Sequence, residues 1–177
     1  SGTRALRCCH DLLLQPHSKA EREEDLAPFF GGTTGSFELY DVGANTVTRY
    51  NKNQCAKRLS PCSTFKIPNS LIGLETGVVR DADFLLTWNR TRYEREEWNR
   101  DHTLRSAIAN SVVWYYQEVA RRVGMQRMKQ RMPALRYGNG DLSGGIDRFW
   151  LESSLAISAD EQVDFLSKLT RNELPFS

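Results

Sequence analysis

Ser63 and Lys66 are the first residues in this sequence whose types and spacing could carry out nucleophilic catalysis. They begin and end the S-x-x-K tetrad at 63–66, at the predicted start of a helix, where a spacing of three places both side chains on one face. A serine hydroxyl is a weak nucleophile that needs an adjacent base, and the N–H groups of a helix N-terminus can stabilise an oxyanion. Alone, the tetrad also fits an N-terminal helix serine and a surface lysine, because about one match is expected by chance.

Three further segments follow the tetrad along the chain. An S-x-V triplet begins at Ser111, a Y-G-N triplet occupies 137–139, and Trp150 lies in the glycine- and aromatic-rich segment 144–152. A Y-G-N triplet is expected by chance in only about one of fifty chains of this length. The order and spacing of the segments together argue against coincidence.

With these segments in place, the sequence resembles the class D serine β-lactamases, the oxacillinase family. Residues 60–71, 98–101 and 137–152 carry the resemblance, which runs from about residue 29 to the end of the chain. The family is described by the motifs S-x-x-K, S-x-V, Y-G-N and K-T-G, and the first three are present. The C-terminal K-T-G block is absent, since the chain stops where the family continues.

The resemblance implies that Ser63 is the acylated nucleophile and Lys66 the general base, carboxylated on its amine by carbon dioxide. A free lysine has a pKa near 10.4, so only about one in a thousand is neutral at pH 7. Burial among Phe65, Val113 and Trp150 would favour the neutral amine, which is the form that reacts with carbon dioxide. Trp150 would then donate its indole N–H to the anionic carbamate.

The resemblance assigns roles to other residues as well. Ser111 would pass a proton to the departing lactam nitrogen, and Val113 would form part of an apolar lid over the lysine. Tyr137 would line the substrate pocket. Asn139 is predicted to order its turn rather than to contact the substrate, and His102 to be a structural histidine.

The implied activity is hydrolysis of β-lactam antibiotics through a serine acyl-enzyme, in the periplasm or outside the cell. The partners would be β-lactam small molecules, and the carbamate on Lys66 would replace any cofactor, with no metal. Two alternatives stay open: a β-lactam sensor domain that does not hydrolyse its ligand, and an inactive truncated fragment. A C-terminal fragment or a second copy of the chain would complete the sheet.

The composition limits the function in a different way. The chain has 177 residues, of which 40% are hydrophobic and 26% charged, as expected for one globular domain. Its net charge of +2 is too balanced to predict binding to nucleic acid or to an anionic membrane. No stretch approaches the ~18 uninterrupted apolar residues of a membrane span.

The elements that must position these residues are predicted from local patterns. Residues 1–28 are predicted as an N-terminal lead-in with a short helix over 20–26, and residues 29–177 as a partial class D-like domain. Alternation of apolar and polar residues over 36–42 and 46–50 predicts a β-hairpin.

Helical patterns follow the hairpin. A buried helix follows the tetrad, a long helix over 104–123 breaks near Ser111, a basic helix is ended by Pro133, and Ser158 caps the last helix. The predicted fold is α/β and similar to serine β-lactamases and penicillin-binding proteins: a helical region on an antiparallel sheet that is incomplete in this chain.

The cysteines leave two possibilities open. Cys55 and Cys62 are either two buried thiols or a short disulfide, which would require an oxidising compartment. The run of Cys8, Cys9 and His10 is not predicted to bind zinc, because adjacent cysteines are poor tetrahedral ligands.

Overall fold

The structure, a computed structural model, describes residues 18–176, so residues 1–17, with the cysteines at 8 and 9, lie outside the described part. A three-stranded sheet contains β1 (Ala20–Glu23), β2 (Phe37–Asp41) and β3 (Thr46–Tyr50) in the order β1-β3-β2. Strand β1 runs parallel to β3, and β2 runs antiparallel to β3. The middle strand β3 is thus paired along both of its edges.

Strands β2 and β3 form the hairpin that the alternating pattern predicts. Asp41 pairs with Thr46 at the turn, and Asp41 Oδ1 accepts a hydrogen bond from the Ala44 backbone N–H at 2.9 Å. Asn45 adopts a left-handed conformation with φ of 49°, which asparagine tolerates better than most residues. Local turn chemistry therefore sets the register of this pair.

The short helix predicted over 20–26 is wrong, because Ala20–Glu23 forms strand β1. Charged residues have only a weak intrinsic preference for helix, which tertiary contacts override. Here the contacts are the hydrogen-bonded ladder to β3 and the ion pairs of Glu21 with Arg49 at 3.2 Å and with Lys52 at 2.8 Å. This segment therefore belongs to the same sheet as the hairpin.

Six α-helices and a short antiparallel ladder are the other main elements of the described chain. The α-helices are α1 (Lys52–Cys55), α2 (Lys66–Glu75), α3 (Leu104–Ala109), α4 (Val113–Val123), α5 (Met125–Leu135) and α6 (Ala159–Thr170). The ladder pairs β4 (Leu85–Leu86) with β5 (His102–Thr103). The predicted break near Ser111 is confirmed by the gap between α3 and α4, and Ser158 caps α6 in a capping box with Glu161.

Helix α5 continues past the residue that was predicted to end it. Pro133 lies inside the helix, which ends at Leu135, and Arg136 follows in a left-handed conformation with φ of 48°. A proline lacks the backbone N–H that would donate one i→i−4 hydrogen bond. In the last turn of a helix this loss is tolerated, because no further turns have to follow it. Pro133 therefore lies two residues before the last residue of α5.

The disulfide alternative for Cys55 and Cys62 is wrong, since both are free thiols. Cys55 is fully buried at the end of α1, where its Sγ lies 3.4 Å from the carbonyl oxygens of Phe37 and Tyr50. The Cys62 Sγ lies instead 3.7 Å from the Ser60 Oγ. The two thiols thus serve different contacts.

An aromatic core lies beneath the segment that carries the S-x-x-K tetrad. The fully buried ring of Phe65 stacks on Trp150 with ring centroids 5.4 Å apart, and it meets Phe149 and Tyr137 edge-on at 5.0 Å and 5.8 Å. Such pairs stabilise the fold by roughly 0.5–1.5 kcal/mol each, beyond the contribution from burying their apolar area.

No helix within residues 18–176 is long and apolar enough to cross a bilayer.

Candidate active site

Ser63 and Lys66 are in direct contact. The Lys66 Nζ donates a hydrogen bond to the Ser63 Oγ at 2.8 Å. Ser63 lies in the 3₁₀ turn Cys62–Phe65, which leads directly into α2 at Lys66. The serine is exposed, whereas the lysine is only 2% exposed. This arrangement presents a nucleophile to solvent with its base buried behind it.

The environment of Lys66 favours a neutral amine. Burial lowers the pKa of Lys66 to about 8, and the positive charge of Arg95 contributes in the same direction. At that pKa about one tenth of the molecules carry the neutral amine at pH 7. The Nζ also lies 5.8 Å from the ring centroid of Tyr116, a cation–π contact that opposes the effect of burial only in part. Lys66 is thereby suited to accept a proton near neutral pH.

The Trp150 segment holds the nucleophile turn through its backbone. The Trp150 carbonyl oxygen accepts hydrogen bonds from the Cys62 N–H and the Ser60 Oγ, both at 3.0 Å. The Ser60 Oγ in turn accepts from the Glu152 N–H at 2.9 Å. With its indole stacked on the ring before Lys66 and 1% exposed, Trp150 fixes the position of the turn.

Ser111 and Val113 lie at the predicted break between α3 and α4. Ser111 adopts φ of 53°, a left-handed conformation that costs a non-glycine residue roughly 1–2 kcal/mol. Val113 is the half-buried first residue of α4. The beginning of α4 is fastened to α2, because Asn69 Nδ2 donates to the Tyr116 carbonyl oxygen at 3.0 Å. The S-x-V and S-x-x-K motifs thus lead into two helices, α4 and α2, that pack against each other.

A scan against protein families matches residues 31–174 to the penicillin-binding protein transpeptidase domain. The chain belongs to this family. It is 50% identical over 147 residues to the probable β-lactamase YbxI of Bacillus subtilis. The aligned residues cover 83% of this chain and 55% of that relative. The resemblance to class D β-lactamases is therefore confirmed, and the chain spans about half the length of this curated relative.

Solved structures agree on the α/β fold. The class D β-lactamase BAT-2 superposes with a TM-score of 0.83 at 49% identity, over 85% of this chain and 63% of that one. The C-terminal domain of the Bacillus licheniformis BlaR penicillin receptor gives 0.84 at 34% identity, over 92% of this chain and 66% of that one. The predicted fold class is confirmed.

Tyr137 of the class D Y-G-N motif lies behind the nucleophile. Its hydroxyl donates to Gln162 Oε1 at 2.7 Å and lies 3.2 Å from Thr64 Oγ1. Burial raises the pKa of this phenol to about 12, so it stays protonated. Tyr137 is 1% exposed and helps to hold Thr64, the residue after Ser63, in place. A contact between Tyr137 and the substrate stays a prediction.

Two structural predictions for polar residues are confirmed. Asn139 orders its turn, because its Oδ1 accepts from the Ala156 N–H at 3.0 Å and its Nδ2 donates to the Ser154 carbonyl oxygen at 2.9 Å. His102 is fully buried, with its ring nitrogens 2.8 Å from the Glu97 carbonyl oxygen and 3.0 Å from a serine hydroxyl. Burial lowers the pKa of His102, which keeps it neutral.

Asn69 is a site residue that the sequence reasoning missed. It lies one turn after Lys66 and is fully buried, and its Oδ1 has no hydrogen-bond partner within residues 18–176. A buried acceptor without a partner costs roughly 1–3 kcal/mol. Its place on the Lys66 face of α2 was the sequence signal that could have identified it.

Within residues 18–176, no group of three or more histidine, cysteine or acidic side chains could hold a metal ion.

Proposed function

We propose that this chain is the nucleophile-bearing part of a serine β-lactamase of the class D type. The observation that carries the proposal is the 2.8 Å contact between the exposed Ser63 hydroxyl and the buried amine of Lys66. Ser63 Oγ attacks the lactam carbonyl carbon while its proton passes to Lys66. The carbon–nitrogen bond then breaks, and the nitrogen takes a proton through Ser111. Water activated by Lys66 hydrolyses the resulting ester.

The finer proposal is that Lys66 acts as a carbamate. A neutral amine adds carbon dioxide to give a carbamate anion and releases one proton, and this reaction needs no metal. Support comes from the pKa of Lys66, lowered to about 8 by burial. Trp150 supplies the indole N–H that would stabilise the anion. Val113 would shield it from water.

A β-lactam sensor is the second candidate. The observation in its favour is the similarity to the C-terminal domain of the BlaR penicillin receptor, at 34% identity and a TM-score of 0.84. A sensor would form the same Ser63 ester but would not clear it. The two candidates therefore differ only in deacylation, the step in which Lys66 activates the hydrolytic water.

Burst kinetics with a chromogenic cephalosporin tests the function and separates the candidates. On the full-length protein we expect a burst of one equivalent followed by continued turnover. A stoichiometric burst without turnover would support the sensor instead. Absence of any burst, in a protein that melts cooperatively, would contradict both and leave an inactive fragment.

We also propose that a further strand, from a C-terminal fragment or from a second copy, completes the sheet at β2. Within residues 18–176 only β3 pairs with β2, so its other edge is open. A groove between β2 and α6 borders that edge, and Leu39 and Val42 there are 53% and 54% exposed. The groove also contains Glu38 Oε2 and Ser167 Oγ, buried oxygens that have no partner in the described chain.

The open edge makes the 177-residue polypeptide alone prone to association, because unpaired backbone groups and exposed apolar side chains template strand pairing. We expect it to sediment as a dimer or larger species and to melt without a sharp transition. Leu39→Lys should shift it toward the monomer, since an edge lysine opposes pairing. A cooperative melt from a strictly monomeric polypeptide would contradict this.

We also propose that the protein is located in the periplasm or is secreted.

A further inference from the structure

A cavity of about 720 Å³ lies between helix α5 and the loop 138–143, and the reaction proposed above does not use it. Its apolar lining consists of Met125, Met132, Pro133 and Leu142. Met132 and Leu142 are only 3% and 5% exposed, so they form the floor of the cavity. Neither Ser63 nor Lys66 lines it. The volume lies within the range of about 300–1,000 Å³ that small-molecule sites occupy.

The loop that forms one wall of the cavity is held by bonds to a neighbouring segment. Asn139 Nδ2 donates to the Ser154 carbonyl oxygen at 2.9 Å, and the Ser154 Oγ donates to the Asp141 carbonyl oxygen at 2.9 Å. A Cβ atom built on Gly138 would lie 2.1 Å from the Ala156 carbonyl oxygen, so only glycine fits there. The wall is therefore preformed, which lowers the entropic cost of binding a ligand.

Two cations border the cavity without a carboxylate partner. Both Lys129 and Arg136 are exposed, and among residues 18–176 no carboxylate lies within 4.0 Å of either charged group. By contrast, Arg131 on the same helix pairs with Glu75 at 3.4 Å. The lining contains one carboxylate, Asp141, whose Oδ1 already accepts a backbone N–H of its own loop at 2.8 Å. The lining residues thus carry two positive charges and one negative charge.

The backbone of Arg136 also points to a role for its side chain. Arg136 follows α5 with φ of 48°, the left-handed conformation in which helices commonly end on glycine. This conformation costs a non-glycine residue roughly 1–2 kcal/mol. Strain of this kind clusters at functional sites, so the guanidinium at the edge of the cavity is a candidate ligand-binding group.

We propose that this cavity binds a small organic anion with an apolar body, whose carboxylate or sulfonate group is held by Lys129 and Arg136. The apolar body lies against Met125, Met132 and Leu142, and methionine side chains adapt to irregular ligand shapes. A guanidinium suits a carboxylate because it can donate two parallel hydrogen bonds. An inorganic anion would leave the apolar floor uncovered, and a neutral ligand would leave both cations unpaired. This inference does not depend on the proposed function.

The charge requirement is tested with two dyes that share the same rings. Anilinonaphthalene sulfonate carries the anion, and phenylnaphthylamine lacks it. The affinity of each dye is measured by fluorescence titration of the full-length protein, of Lys129→Gln and Arg136→Gln, and of the control Arg131→Gln. We expect each of the first two substitutions to weaken sulfonate binding about threefold, as for an ion pair at an exposed site, and the double variant about tenfold. Binding of the neutral dye, and both affinities of Arg131→Gln, should not change.

Methionine methyl signals locate the bound dye. The sequence contains three methionines, all on α5: Met125 and Met132 line the cavity, whereas Met128 is fully buried and does not. With ¹³C-methyl methionine, assigned through single Met→Leu variants, the sulfonate should shift the signals of Met125 and Met132 more than that of Met128.

Two results would overturn the proposal. In the first, the sulfonate leaves the Met125 and Met132 signals unmoved, which would mean that it binds elsewhere or that another part of the full-length protein fills the cavity. In the second, Lys129→Gln and Arg136→Gln weaken both dyes equally or neither of them, which would show that the two cations do not recognise an anion. Neither result would bear on acylation of Ser63, so the proposed function is tested separately.

Discussion

Replacing Ser63 with alanine is expected to abolish covalent binding of β-lactams completely. After exposure to penicillin, the intact mass of the unaltered protein should rise by one ligand, and the mass of Ser63→Ala should not change. The physical reason is that the attacking oxygen, which lies 2.8 Å from the Lys66 Nζ, is removed. Loss of a nucleophile in a serine hydrolase lowers turnover by about 10⁶-fold.

Ser143→Ala is the matched control for this experiment. Ser143 is also exposed, but it lies on the turn that follows the Y-G-N motif, outside the contacts that hold the nucleophile. We expect this variant to form the adduct at the normal rate. An adduct that persists in Ser63→Ala would show that a different side chain is acylated, and the proposed mechanism would have to be abandoned.

Replacing Lys66 with alanine is expected to lower the acylation rate about 10²–10⁴-fold, the range for loss of a general base. The same base gives the pH dependence its sign. Only the neutral amine can accept the serine proton or add carbon dioxide, and the amine is protonated below its pKa of about 8. Activity should therefore fall about tenfold for each pH unit below 8, and added bicarbonate should restore part of it.

Trp150→Phe separates the carbamate from a simple amine base. The substitution retains an aromatic ring that can stack on Phe65 and removes the indole N–H, the proposed donor to the carbamate, together with the rest of the five-membered ring. We expect near-normal acylation, an acyl-enzyme that accumulates, and loss of the response to bicarbonate. Labelled bicarbonate should give a carbamate ¹³C NMR signal in the unaltered protein alone. Turnover indifferent to bicarbonate at low pH, with an unmodified lysine, would rule out the carbamate.

The sequence by itself determined the features that depend on neighbours within about four residues. The spacing of Ser63 and Lys66 on one helical face, the hairpin with Asn45 in its turn, and the capping box at Ser158 are all of this kind. Each follows from backbone periodicity or from a side chain bonding to its own turn. The break at Ser111 was visible for the same reason, since two helical patterns meet there.

Only the tertiary structure decided the features that depend on distant partners. Strand β1 forms because β3 offers an edge, against a local preference for helix. The Trp150 carbonyl oxygen accepts from the Cys62 N–H and so holds the turn that carries the nucleophile, and Cys55 and Cys62 are free thiols. The Trp98 indole N–H donates to the Asn110 carbonyl oxygen at 3.0 Å and so joins two segments that no local pattern connects. Hydrogen bonds and charges between remote segments leave no periodic pattern in a single chain, so geometry alone reveals them.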